Sequence, residues 1–246
     1  MKDNIQDLVR YVTGTGFFEK IRISATDKDV LIEAMNNEKD IILKGQFPKP
    51  IEGLTGDFGL SNLSLLGHIV SDPLFNSNDS KIDFVYAEQD GVKVPLELKY
   101  TNKNRSYINY RFMTIKLVPP QPKYLEPKWD VVVKPTKASI QQFAWAANGL
   151  GIYEQYFTPR VRNQELMFFI GPETASSQRG AVTFSENVTG TLDSNHSWRI
   201  KHIQPILNLA DSANCEMAFS AKSGAIQISL DTGIGKYKFI FPAKSG

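Results

Sequence analysis

Near the N-terminus, Ile5, Leu8, Val9 and Val12 follow the i, i+3, i+4, i+7 spacing of one helix face. This predicts a helix over residues 4–13, with Asp3 placed to cap it and Gly14 to stop it. The pattern then changes to strands at residues 18–25, 30–36 and 40–47, with polar turns at 26–29 and 36–39. Pro48, Pro50 and Gly53 mark a loop before a short strand at 57–60. A second helix follows, with Ser61 as its N-cap, an apolar set of Leu63, Leu66, Ile69 and Val70, and Pro73 as its end. Alternation returns at 81–86, 92–100 and 106–113, joined by turns at 89–91 and 102–104.

The texture then breaks. Pro119, Pro120, Pro122 and Pro127 put four prolines into nine residues, which suits an extended connector that cannot donate freely to a sheet. Beyond it the order of elements recurs. A strand at 129–133 precedes a helix at 137–148, where Ile140, Phe143, Ala144 and Ala147 share a face and Gly149 closes it. Strands follow at 156–162 and 164–170, then a polar loop at 172–178 and a strand at 181–185. A strand at 198–202 leads into a short helix with Pro205 at its first position. Three more strands, at 216–220, 225–230 and 236–241, complete the pattern. Each half therefore reads as helix, strands, short helix, strands. The expected organisation is a domain over 1–116, a connector over 117–127 and a domain over 128–246. Both domains are α+β, each with an antiparallel sheet and two helices laid on it.

Composition removes several classes. The 246 residues include 15 Phe, 9 Tyr and 3 Trp, too many aromatics for a chain that stays unfolded. No apolar run approaches the roughly 20 residues of a membrane helix, and residues 1–7 lack the apolar block of a signal peptide. Cys215 is the one cysteine, so no internal disulfide forms, and no Cys/His cluster exists to hold zinc. The expected setting is cytoplasmic. A net charge of +2 argues against a uniformly basic nucleic-acid binder but leaves a local basic patch open. The stretch from Lys134 to Gly149 contains lysines and no acid.

The segment from Trp198 to Asp211, the hairpin from Met217 to Ile228 and the final run from Lys236 to Lys244 resemble the DNA sliding clamps of tailed phages, archaea and eukaryotes (proliferating cell nuclear antigen). As an order of elements the resemblance covers the whole chain; as sequence it is specific only over this last part. It implies a ring-forming DNA clamp fold, three copies encircling duplex DNA without reading its sequence, and a tether for a DNA polymerase, placed by a clamp loader. It implies no cofactor, no metal, no membrane and no enzymatic activity. The cytoplasm would be that of the host if a phage encodes the chain.

Candidate residues follow from helix faces and from the resemblance together. Lys2 and Arg10 lie opposite the apolar stripe of the first helix, and Lys134 and Lys137 begin the third. Lys201 falls where the family places a channel residue, and Arg199 shares its strand face by alternation. The second helix departs from this pattern, with His68 and no Lys or Arg. Any one of these cations also fits a merely solvated face. The resemblance further implies a pocket for a partner peptide walled by Val118, Leu125, Phe241, Pro242 and Ala243. It implies subunit contacts through the strand bearing Tyr107, Tyr110 and Phe112 and the strand bearing Val182 and Phe184. An aromatic edge strand left unpaired invites aggregation, so pairing it is physically sensible.

Catalytic constellations are thin. His68, His196 and His202 show no ligand spacing, and no Gly-x-Ser-x-Gly turn or P-loop is present. Gly14-Thr15-Gly16 lacks a third glycine, and Asp27 and Asp29 sit in a turn where aspartate is common. Two alternatives to a clamp stay open on sequence: a duplicated β-rich phage structural or assembly protein that never meets DNA, and a small-molecule enzyme whose site only folding assembles.

Overall fold

The computed structural model describes residues 1–89, 91–120, 124–171, 178–193, 195–210 and 214–243. The turn residue Asp90, the connector residues 121–123, most of the polar loop at 172–178, Asp211 and Lys244 therefore lie outside the described residues. The chain divides into two units. The first comprises Met1–Lys123 with Asp231–Tyr237, and the second Tyr124–Leu230 with Lys238–Gly246.

In the first unit, helix α1 (Lys2–Tyr11) turns Ile5, Leu8 and Tyr11 into the core. It starts earlier than the spacing of apolar residues suggests: Met1 is the N-cap, not Asp3, and no side chain caps it. Gly14 does not end it. A 3-10 turn at Thr13–Thr15 follows, closed by Gly16 at φ 70, a left-handed conformation that glycine adopts without strain. Strands β1 (Ile21–Ala25), β2 (Val30–Met35), β3 (Ile42–Phe47) and β4 (Gly56–Leu60) pair antiparallel in the order β4-β1-β2-β3. Alternate residues of β1 and β3 are buried, as a sheet with one covered face requires.

Helix α2 (Leu63–Ser71) is N-capped by Asn62 at φ 52, not by Ser61, and buries Leu66 and Ile69. Strands β5 (Lys81–Gln89), β6 (Val92–Thr101) and β7 (Tyr107–Arg111) form a second antiparallel sheet in that order. The chain leaving β7 returns to β4 through a bridge in which Gly59 and Met113 exchange N–H···O bonds of 2.8 Å. Glycine is required there, because a Cβ on Gly59 would stand 2.4 Å from Val118 Cγ2.

Tyr237 closes this unit. Its ring stacks on Tyr11 at 5.8 Å and meets Phe47 edge-on at 6.4 Å. Its hydroxyl donates to Asp7 Oδ2 at 2.6 Å, 230 residues away in sequence. Both groups are buried. Burial pushes the Asp7 carboxyl above its usual range, against the opposing pull of the Tyr237 and Thr232 hydrogen bonds and the Arg10 charge.

In the second unit, β8 (Val131–Val133) precedes α3 (Lys137–Leu150), β9 (Tyr156–Arg162), β10 (Glu165–Ile170) and β11 (Gly180–Ser185). Then come β12 (Trp198–Arg199), α4 (Ile200–Leu209), β13 (Cys215–Ser220), β14 (Ala225–Asp231) and β15 (Lys236–Pro242). The strand orders here are β11-β10-β9-β12 and β15-β14-β13-β8, with Asp231 of β14 and Lys236 and Tyr237 of β15 belonging to the first unit. The largest discrepancy with the sequence pattern is at 198–202. The strand stops after Arg199, and α4 is already helical at Lys201 and His202, with Pro205 inside it. Ile200, Ile203, Ile206 and Leu207 form a buried helical stripe. Burying that stripe outweighs the one N–H that Pro205 withholds from the Lys201 carbonyl, a penalty of about 3 kcal/mol in an exposed helix. Cys215 is buried in β13, and burial with the Glu216 charge pushes its thiol up to about 12. Among the described residues, no helix is long and apolar enough to cross a membrane.

The Asp7 site gives a signed pH dependence. A carboxyl whose folded-state pKa is raised lends stability that is present below its unfolded pKa and lost as pH rises through the folded one. Asp7→Asn removes that loss while keeping an oxygen for Tyr237. The variant is expected to gain on the wild type as pH rises from about 3.5 to 7, read from urea unfolding at the two pH values. A pH-independent difference between the two proteins would contradict the assignment.

Candidate nucleic-acid interface

Four helices bear on the predicted DNA-facing positions, and their faces differ. Helix α3 is set by its N-terminus: Thr136 Oγ1 accepts from Ser139 N at 3.0 Å, and Ser139 Oγ accepts from Thr136 N at 2.9 Å, a reciprocal capping box. Phe143 pins the helix onto its sheet, with ring centroids 5.2 Å from both Phe157 and Phe168. Ile140, Ala146 and Ala147 complete the buried side. Lys137, Gln141, Trp145 and Asn148 are thereby left on the solvent side, and Lys134, just before the cap, is exposed.

On α4 the buried stripe leaves Lys201 exposed. Gln204 Nε2 donates to Asn148 Oδ1 at 3.4 Å, joining the outer faces of the two helices. Neither helix contains an acid. Arg199 is placed differently. It precedes the helix and does not share a strand face with Lys201, because Lys201 is not in a strand. Its Nε donates to the Tyr156 hydroxyl at 3.1 Å.

The first unit offers less. Lys2 is half-buried, and its Nζ donates to the Ser77 carbonyl at 2.7 Å and to Ser80 Oγ at 2.5 Å. This lysine ties α1 to the 77–80 turn. Arg10 is exposed with its guanidinium 5.2 Å from the Tyr11 ring centroid, and Asp3 on the same helix is exposed as well. Helix α2 exposes Ser64, Leu65, His68 and Ser71, with neither Lys nor Arg nor acid.

The strands expected at subunit contacts both lie at sheet margins, β7 beside β6 and β11 beside β10. Of their side chains, Tyr107 is 64% exposed, while Tyr110, Val182 and Phe184 are buried. Phe112 stacks on Phe58 at 4.3 Å, Phe184 stacks on Phe168 at 4.2 Å, and the Tyr110 hydroxyl donates to the Ser61 carbonyl. These margins present backbone, the Tyr107 ring and alternate polar side chains, with Tyr110, Phe112 and Phe184 turned into their own unit.

The expected partner-pocket residues are scattered in exposure. In the first unit Val118 is buried against Gly59. In the second, Leu125 is 88% exposed and Phe241 is buried, its carbonyl accepting from Trp198 Nε1 at 2.9 Å. Pro242 is exposed, and Ala243 N donates to the Gly224 carbonyl at 2.7 Å. Lys238 pairs with Glu126 at 3.5 Å beside this tail.

Trp145 is a residue the sequence reading missed. Its signal was available in the Lys137, Gln141, Trp145, Asn148 spacing, which falls opposite Ile140, Phe143 and Ala147.

This geometry is that of a clamp fold. PCNA of A. fulgidus, in a complex with the C-terminal region of FEN-1, matches at TM-score 0.72 and 10% identity, over 100% of this chain and 96% of that one. PCNA of Thermococcus kodakaraensis matches at TM-score 0.67 and 11% identity, over 99% and 97%. The proliferating cellular nuclear antigen of Entamoeba histolytica matches at TM-score 0.66 and 14% identity, over 99% and 94%. No protein-family model and no curated protein sequence matches the chain. The fold of this protein is therefore the PCNA-type DNA clamp fold, found along its whole length.

The lysines separate by role. Lys2→Ala removes two hydrogen bonds made by a charged donor and is expected to cost about 1–2 kcal/mol of stability. Lys137→Ala and Lys201→Ala are expected to stay within about 0.5 kcal/mol of the wild type. Chemical unfolding of the three single variants checks this ordering.

Proposed function

We propose that the chain is a DNA sliding clamp, a processivity factor that encircles duplex DNA and tethers a replicative DNA polymerase. The observation that carries this reading is a pair of neighbouring helices, α3 and α4, that expose Lys137 and Lys201 and contain no carboxylate, on a clamp fold spanning the full chain. A ring that slides needs weak, sequence-independent attraction to phosphates. A few lysines on an acid-free surface supply that while the chain as a whole stays near neutral.

Under this proposal three copies close the ring. The margins β7 and β11 meet between copies, adding backbone hydrogen bonds in the manner of an extended sheet. Lys134 and Arg10 add to the DNA-facing charge; Lys2 and Arg199, already engaged within their units, add less. A polymerase or another partner docks a peptide near Leu125, Pro242 and Ala243, with Val118 and Phe241 as supporting core residues. A. fulgidus PCNA, which shares the fold, is itself bound by the C-terminal region of FEN-1. A clamp loader opens and closes the ring. The role is non-catalytic and needs no cofactor, and its setting is the cytoplasm, that of the host if a phage encodes the chain.

The test combines assembly and topology. Light scattering at micromolar concentration is expected to give a mass three times the 27.6 kDa chain. Protein loaded on nicked circular plasmid is expected to remain through gel filtration and to be lost once the plasmid is linearised. Lys137→Glu with Lys201→Glu is expected to reduce retention at least tenfold. A monomer that leaves circular and linear DNA equally fast would overturn the proposal.

A further inference from the structure

The outer face of α3 and α4 is poor in charge for a surface that meets a polyanion. Lys137, Gln141, Trp145 and Asn148 follow one another at i+4, i+4 and i+3 along α3 and are exposed. Lys201 and Gln204 continue the face on α4, joined to it by the Gln204–Asn148 hydrogen bond. Of these six, two are cations, three are primary amides and one is an indole.

Trp145 is 76% exposed, whereas Trp198 of the same unit is 3% exposed. An exposed indole forgoes the burial that stabilises a tryptophan, and it keeps a flat apolar surface and one N–H donor available. An amide offers two donors without charge. Phosphate oxygens accept from such donors as they do from lysine, and deoxyribose offers apolar surface to a ring. None of these contacts depends on the base. None displaces a condensed counterion either, so none adds to the salt dependence of binding.

We propose that this face grips duplex DNA mainly through neutral groups. Trp145 packs on the sugar–phosphate backbone, Gln141 and Asn148 donate to phosphate oxygens, and Lys137 and Lys201 supply this face's share of the salt dependence. The absence of any carboxylate from either helix is the complementarity that selects a polyanion as the occupant. The inference rests on the clamp reading and specifies how that clamp holds its track while remaining free to move.

The experiment follows retention of the full-length protein on nicked circular plasmid across a NaCl series, and tryptophan emission during DNA addition. Lys137→Ala with Lys201→Ala should flatten the plot of log affinity against log salt by about 0.9 for each phosphate no longer neutralised. Gln141→Ala with Asn148→Ala should lower affinity roughly threefold to tenfold at every salt concentration and leave the slope unchanged. Trp145→Ala should behave like the amide pair. Trp145→Phe, the milder change, should keep most of the affinity and abolish the DNA-dependent change in emission.

If wild-type protein is not retained on circular DNA, the clamp reading and this inference both fall. If it is retained and the tryptophan and amide variants match it at every salt concentration, the inference alone is overturned. It is overturned equally if the amide pair changes the slope, or if DNA leaves the emission of the wild type unaltered.

Discussion

A buried phenol hydroxyl must find an acceptor, and in the first unit that requirement joins the end of the chain to its beginning. Tyr237 finds Asp7. Its ring fills the space between Tyr11 and Phe47, against a glycine at position 45 whose Cβ, if present, would stand 2.9 Å from Tyr237 Cδ1. Removing either partner leaves a buried polar group unsatisfied, which costs more than the net gain from one hydrogen bond. The first unit is thus complete only when residues 231–237 have been made and placed. The first half of the sequence therefore does not by itself supply every residue of the first unit.

In the second unit the governing contact is aromatic. Phe143 sits among Phe157, Phe168 and Phe184, and its position fixes the rotation of α3 about its own axis. Once that side is buried, the outward residues are determined by helical geometry alone. The solvent-facing surface of α3 is therefore a by-product of core packing. The residues that line it need only be polar or tolerant of water, and the core keeps them in register.

Much of this was legible in the chain. Alternation placed β2, β3, β9 and β10 within two residues of their observed ends, because a half-buried strand writes a period of two directly into its sequence. The proline rule misled at α4. Pro205 favours a helix start, but a four-residue apolar stripe beginning at Ile200 was the stronger signal. Cap residues were also misplaced at α1 and α2, where no side chain makes a cap bond. The site was legible only in part. The acid-free run after Lys134 could be read from composition, whereas the engagement of Lys2 with Ser77 and Ser80 depends on a turn 75 residues away. The Asp7–Tyr237 contact left no local trace for the same reason.

Cys215 carries a consequence for assembly. It is the chain's one cysteine, buried in β13 with its thiol held protonated at neutral pH. No surface thiol is present to link copies covalently or to trap a misaligned pair under oxidising conditions. The assembly proposed above would therefore rest on hydrogen bonds, packing and charge, all of which can be undone and remade at the same edge.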